Sequence, residues 1–194
     1  MRTTALKKAS QQSPSLPGRR SLVTWFVPAM ALAVLAIDQS TKWWVLQNLP
    51  LNTAWAPFQR LERLFVIAHV ANPGAAFGLF KDRGLLFIFI AVFVSGAIIV
   101  YNRYLPQGQH LLRVSLGLQL GGALGNLVDR VRFGHVIDFI AVGLGGLRWP
   151  TFNVADMAIV LGVVLLVAIL LNEPAGLTDS PDDAQDSQDG TPCG

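Results

Sequence analysis

Long apolar stretches separated by polar segments dominate the chain, and four of them reach membrane-spanning length. The first starts at Leu22, runs uncharged to Ile37, and continues through Asp38 and Lys42 toward Leu46. The second, Gly84 to Tyr101, is free of charge; the third, Leu111 to Val128, carries Arg113 and Gln119; the fourth, Val154 to Leu171, is aliphatic apart from Asp156 in its first turn. A hydrocarbon core roughly 30 Å thick takes about 20 apolar residues of helix, so the pattern predicts an all-α membrane protein with four transmembrane helices. Four spans place the end of the first, the start of the second, the end of the third and the start of the fourth on one face. The two loops there, about 47–83 and 129–152, are the long ones. The run Leu64–His69, flanked by Pro50, Pro57 and Pro73, is β-compatible and predicts a small sheet at the membrane surface.

Composition agrees. Mean hydropathy is +0.47 and only 14% of residues are charged, against about a quarter in soluble chains. The single cysteine, Cys193, excludes a disulfide framework and Cys-based zinc sites, and the three histidines have no i,i+4 pair. No metal or cofactor is expected. Charge is split between the ends: Arg2, Lys7, Lys8, Arg19 and Arg20 lie in the first twenty residues, whereas the tail from Glu173 is acidic. Segments 1–21 and 172–194 read as disordered tails flanking a membrane domain at 22–171. The basic end reads as a topology signal rather than a nucleic-acid patch. Cytoplasmic termini give seven Lys/Arg inside and eight in the longer outer loops, so the dense cluster before the first span decides for N-in and C-in. A cleavable signal peptide also fits the first span, but Asp38-Gln-Ser-Thr-Lys42-Trp-Trp is poor cleavage-site sequence and suits a helix reaching the headgroup layer.

Carboxylates near hydrocarbon are costly, yet Asp38, Asp129, Asp138 and Asp156 all map to the face with the long loops. Asn126 precedes Asp129 by three residues and Asn153 precedes Asp156 by three, which on a helix puts amide and carboxylate on one side. Gly117, Gly121 and Gly125 form a small-residue stripe that admits close helix packing and brings Asp129 toward Asp156. Two adjacent carboxylates share a proton near neutrality, and such a pair activates water while protonating a carbonyl. A proton- or cation-binding transporter site and a structural polar cluster fit the same residues.

The blocks Asp38-Gln-Ser-Thr-Lys42, Asn72-Pro-Gly-Ala-Ala-Phe77-Gly, Gly121-Gly-Ala-Leu-Gly-Asn126-Leu-Val-Asp129-Arg130, Gly134-His-Val-Ile-Asp138-Phe139 and Phe152-Asn153-Val-Ala-Asp156 resemble, in order, the lipoprotein signal peptidases (signal peptidase II). The resemblance covers about 22–171. It implies a bacterial inner-membrane aspartic endopeptidase that cuts prolipoproteins just before a diacylglyceryl cysteine and is blocked by globomycin-type inhibitors. The implied architecture is a four-helix bundle with a small extracytoplasmic β-cradle and a short surface helix. Asp129 and Asp156 are expected as the catalytic pair, with Asp38, Lys42, Asn72, Asn126, Arg130, Asp138 and Asn153 around them. Arg130 is expected to hold a lipid phosphate or pair with Asp138. Asp38 is expected to pair with Lys42. Phe77 and the tryptophans are expected to wall the site, and His69 and His135 to serve as loop residues.

Overall fold

The computed structural model describes residues 24–74, 84–144 and 147–172. Residues 1–21 and 173–194 of the predicted tails, and Phe77, lie outside them. In chain order the elements are α1 (Phe26–Asn48), β1 (Ala54–Trp55), a single 3-10 turn (Gln59–Leu61), β2 (Phe65–Asn72), α2 (Gly84–Tyr104), α3 (His110–Phe133), β3 (Val136–Leu144), β4 (Leu147–Arg148) and α4 (Val154–Asn172).

By length and composition α2, α3 and α4 qualify to cross a membrane. The fourth expected span, α1, falls short because the polar run Asp38–Lys42 lies inside it. Those polar residues point inward: Asp38 and Lys42 are buried, while Leu32, Ile37 and Trp43 are exposed. The helix packing explains the low polarity of α2 and α4. Half of the apolar window of α3 (50%) is enclosed, against 11% for α2 and 17% for α4, so α3 is the central post. Its glycines set the distances. A Cβ at Gly125 would lie 2.5 Å from Asp38 Oδ2, and one at Gly121 would lie 2.6 Å from Val34 Cβ, so this stripe seats α1. Gly122 faces the Ala155 backbone, and a Cβ at Gly162 would lie 2.8 Å from Ser115 O; these two seat α4. Val27, Ala31, Ile98, Leu116 and Leu120 fill the core among α1, α2 and α3.

Helix ends are closed locally. Gly134 takes φ 77° beyond α3 and returns its N–H to Arg130 O at 3.0 Å, the left-handed stop glycine accepts without strain. The buried Arg113 donates to Leu105 O at 2.9 Å and to the Asn102 side chain. It thereby satisfies carbonyls left open at the end of α2.

The sheet is antiparallel in the order β1-β2-β3-β4. β2 extends the expected run to Asn72. β3 comes from the second long loop, where no strand was anticipated, and pairs Ile67 with Ile140 and Val70 with Asp138 across a register shift. Both long loops are thus stitched together over the ends of the four helices. Trp44 of α1 packs on Trp55 of β1, ring centroids 5.9 Å apart.

Candidate active site

Asn153 organises the site. It precedes α4, its side-chain Oδ1 accepts the Asp156 N–H at 3.0 Å, and its own N–H donates to Asp156 Oδ2 at 3.2 Å. That reciprocal cap fixes Asp156 in the first turn, where the helix N-terminus favours negative charge. The Asn153 amide also reaches across to β3 and donates to Asp138 Oδ1 at 2.8 Å. One asparagine therefore touches both carboxylates. Asp138 Oδ2 accepts the Asn72 amide at 2.8 Å, and Asn72 Oδ1 holds Gly74 N–H at 3.1 Å.

Asp138 and Asp156 line the same cavity, of about 520 Å³. Asn72, Asn126 and Arg130 supply further polar wall, and Phe87, Trp149, Phe152, Met157 and Val160 supply the apolar wall. Asp138 is almost fully enclosed (1% exposed). Burial, assisted by the neighbouring Asp156, pushes its carboxyl up to about 6, against the opposing pull of the two asparagine donors and Lys42.

Asp129 stands elsewhere. It is 1% exposed and does not line the cavity. Its Oδ1 accepts Gln39 Nε2 at 2.9 Å; its Oδ2 accepts Lys42 Nζ at 2.8 Å and Ile137 N–H at 3.1 Å. The carboxylate that the structure brings to the cavity beside Asp156 is Asp138, not Asp129. The Asn126–Asp129 pairing suggested by helical spacing is crossed as well: Asn126 Nδ2 donates to Asp156 Oδ1 at 2.7 Å, while its Oδ1 accepts Lys42 Nζ at 3.2 Å.

Lys42 has three acceptors for three N–H groups: Asp38 Oδ2 at 2.9 Å, Asp129 and Asn126. Asp38 Oδ1 in turn holds Ala155 N–H at 2.9 Å, in the first turn of α4. The cluster ties α1 to α3 and to the start of α4, directly behind the amide that faces Asp156. Arg130 makes no ion pair with Asp138 among the described residues. Its guanidinium lies 4.8 Å from the Phe87 ring centroid and donates to Asn126 O and Gly74 O, each at 3.3 Å. His69 is a buried strand residue whose Nδ1 meets Leu49 O at 2.9 Å, so it supports the fold away from the cavity. Among the described residues no cluster of His, Cys, Asp and Glu suits a metal ion.

The fold has counterparts in solved structures. Two, described as a bacterial membrane enzyme determined by the in meso method at 2.3 and 1.9 Å, align with TM-scores of 0.69 and 0.65, both at 27% identity. They match 84% and 81% of this chain and 94% and 96% of their own. The fold is thus that of a membrane enzyme. The family model for signal peptidase (SPase) II matches residues 30–172. The lipoprotein signal peptidase of Moorella thermoacetica is 47% identical over 147 residues, covering 76% of this chain and 93% of the relative. That of Geobacillus thermodenitrificans is 40% identical over 137 residues, covering 71% and 84%. The chain belongs to the signal peptidase II family, and so to the peptidases.

Proposed function

We propose that this protein is a membrane-embedded aspartic endopeptidase that removes signal peptides from diacylglyceryl-modified prolipoproteins, cutting just before the lipidated cysteine. Asp138 and Asp156 form the working pair in this reading. The observation that carries it is the single asparagine, Asn153, hydrogen-bonded to both carboxylates on the wall of one cavity. The expected role of Asp129 passes to Asp138, and Asp129 becomes the counter-charge that anchors Lys42.

The roles follow from environment. Asp156 is half-buried, accepts two hydrogen bonds and sits at a helix N-terminus, so it is the base. Asp138 is enclosed and holds its proton longer, so it is the acid. Asp156 takes a proton from water as the water oxygen bonds to the scissile carbonyl carbon, and Asp138 protonates the carbonyl oxygen. On collapse the C–N bond breaks, Asp156 passes its proton to the cysteine nitrogen, and Asp138 recovers one from the diol. Asn72 and Arg130 bind the substrate around the pair. The apolar wall from Phe87 to Val160 takes the acyl chains, as it would the lipid-like part of a globomycin-type inhibitor. The enzyme sits in the bacterial inner membrane, with α1 as fourth span and the sheet on the extracytoplasmic side.

Purified full-length protein and a diacylglyceryl-cysteine prolipoprotein in detergent test this directly. Asp138→Asn and Asp156→Asn are each expected to lower kcat about 10²- to 10⁴-fold. Asp129→Asn is expected to lower the melting temperature while the folded fraction still cleaves. Full activity in Asp138→Asn, with Asp129→Asn folded and inert, would restore Asp129 to the pair.

A further inference from the structure

The segment that follows β4 and lines the cavity with Asp138 and Asp156 is interrupted in its pairing with β3. Trp149 N–H donates to Val142 O at 2.9 Å. Three residues on, Phe152 exchanges bonds with Ile140, 3.1 Å in one direction and 2.8 Å in the other. On β3 one residue, Ala141, separates these attachment points. On the facing segment two residues, Pro150 and Thr151, fill the same interval. An extra residue on one strand is a bulge, and a bulge turns its main-chain groups out of the ladder. Ala141 cannot call them back, because it is paired with Val66 of β2 on the other side.

Proline brings no N–H. Thr151 makes no hydrogen bond among the described residues through its N–H, its carbonyl or its hydroxyl. Both residues line the cavity that Asp138 and Asp156 share. A donor and an acceptor on one strand residue, left open beside a site, are what an extended peptide uses when it adds to a sheet edge.

We infer that the Pro150–Thr151 bulge is the backbone-docking edge of the site: Thr151 N–H and C=O pair with one residue of the substrate, holding its chain extended between the bulge and the two aspartates. The inference rests on the endopeptidase reading and adds what that reading lacks, namely how the peptide, as distinct from its lipid, is held. Main-chain pairing is indifferent to side chains, so this edge holds a chain without selecting its sequence.

The test uses the full chain in detergent and a synthetic diacylglyceryl-cysteine peptide spanning the cleavage point. Replacing Thr151 by its α-hydroxy acid counterpart removes its N–H while keeping its side chain and its carbonyl, and is expected to raise KM about five- to tenfold with kcat little changed. With wild-type enzyme, an amide-to-ester scan of the peptide is expected to raise KM at two successive positions away from the scissile bond: the paired residue, which loses its N–H to Thr151 C=O, and the next, whose ester weakens the carbonyl that accepts Thr151 N–H. Both penalties should persist in Thr151→Ala, which keeps the N–H; in the hydroxy-acid enzyme the second should vanish and the first remain. A wild-type KM in the hydroxy-acid enzyme, or a penalty at the second position that survives there, overturns the docking edge. So does a flat scan on the wild type, whatever the variants do. A wild-type enzyme that leaves the parent peptide uncut overturns the endopeptidase reading instead.

Discussion

Asp138 interrupts an otherwise apolar strand, between Ile137 and Phe139, and the side-chain amides of Asn72 and Asn153 make that tolerable. Removal from water is the largest influence on its carboxyl and raises it from 3.8 to about 6, with Asp156 adding to the rise. A carboxyl raised in the folded state binds more protons there than in the unfolded chain between these two values. Its contribution to stability is therefore complete below about pH 4 and lost as pH climbs through 6, amounting to about 3 kcal/mol at two pKa units. The melting temperature of the wild type in detergent is expected to fall between pH 4.5 and 7.5, and Asp138→Asn to flatten that slope. With the protonated form as the acid of the proposed mechanism, kcat should decline on the alkaline side of about pH 6. Lys42 presents the opposite case: a buried cation between two carboxylates, with Asp38 and Asp129 within 2.9 Å. Lys42→Met strands both charges, and breaking a buried pair costs about 3–5 kcal/mol. Melting by intrinsic fluorescence should report that loss, larger than for Asp129→Asn.

At the scale of elements, α3 governs how near the neighbouring helices come, and its glycines are the adjustable parts. Gly122→Val would drive a side chain into the Ala155 backbone, and Gly125→Ala would press on the Asp38 carboxylate. Overpacking of this kind costs about 1–3 kcal/mol. Gly96→Ala in α2, with nothing within 4 Å of the added carbon, is the control expected to leave melting unchanged. The helices themselves were legible because hydrocarbon forces long uniform runs: α2 starts at the expected Gly84, and α3 exceeds its apolar run by one residue before it and five after it. β3 was not legible. Val136 to Phe139 are buried one after another, so the alternation that marks a half-exposed strand is missing. Asp138 itself was marked by its block and expected around the catalytic pair; what the hidden strand concealed was its place on the cavity wall beside Asp156. Of the two asparagine spacings, Asn153 and Asp156 do meet, whereas Asn126 and Asp129 do not. Positions three apart do share a helix face, but the face of Asn126 looks across at α4, so its amide serves the neighbouring helix's Asp156.

On the scale of the whole molecule, the sheet dictates which helix ends lie together. β1 and β2 come from the α1–α2 connection and β3 and β4 from the α3–α4 connection, yet they form one continuous sheet. The ends of α1 and α3 and the starts of α2 and α4 must then share a face; a Cβ on Gly84 would lie 3.6 Å from Gly134 O. The turn between Tyr104 and His110 faces the other side. All the catalytic candidates sit at the sheet-bearing ends, so a single fact, the side of the membrane that bears the sheet, decides where cleavage occurs. The five basic residues before the first span argue that this side is extracytoplasmic. Cysteine labelling with a membrane-impermeant thiol reagent in intact cells reads the orientation. Glu62→Cys, in a Cys193→Ser background, is expected to react from outside. Gln107→Cys in the same background, and the natural Cys193, should react only after permeabilisation. The reverse pattern would put the aspartates on the cytoplasmic side, out of reach of a signal peptide whose cargo has already crossed.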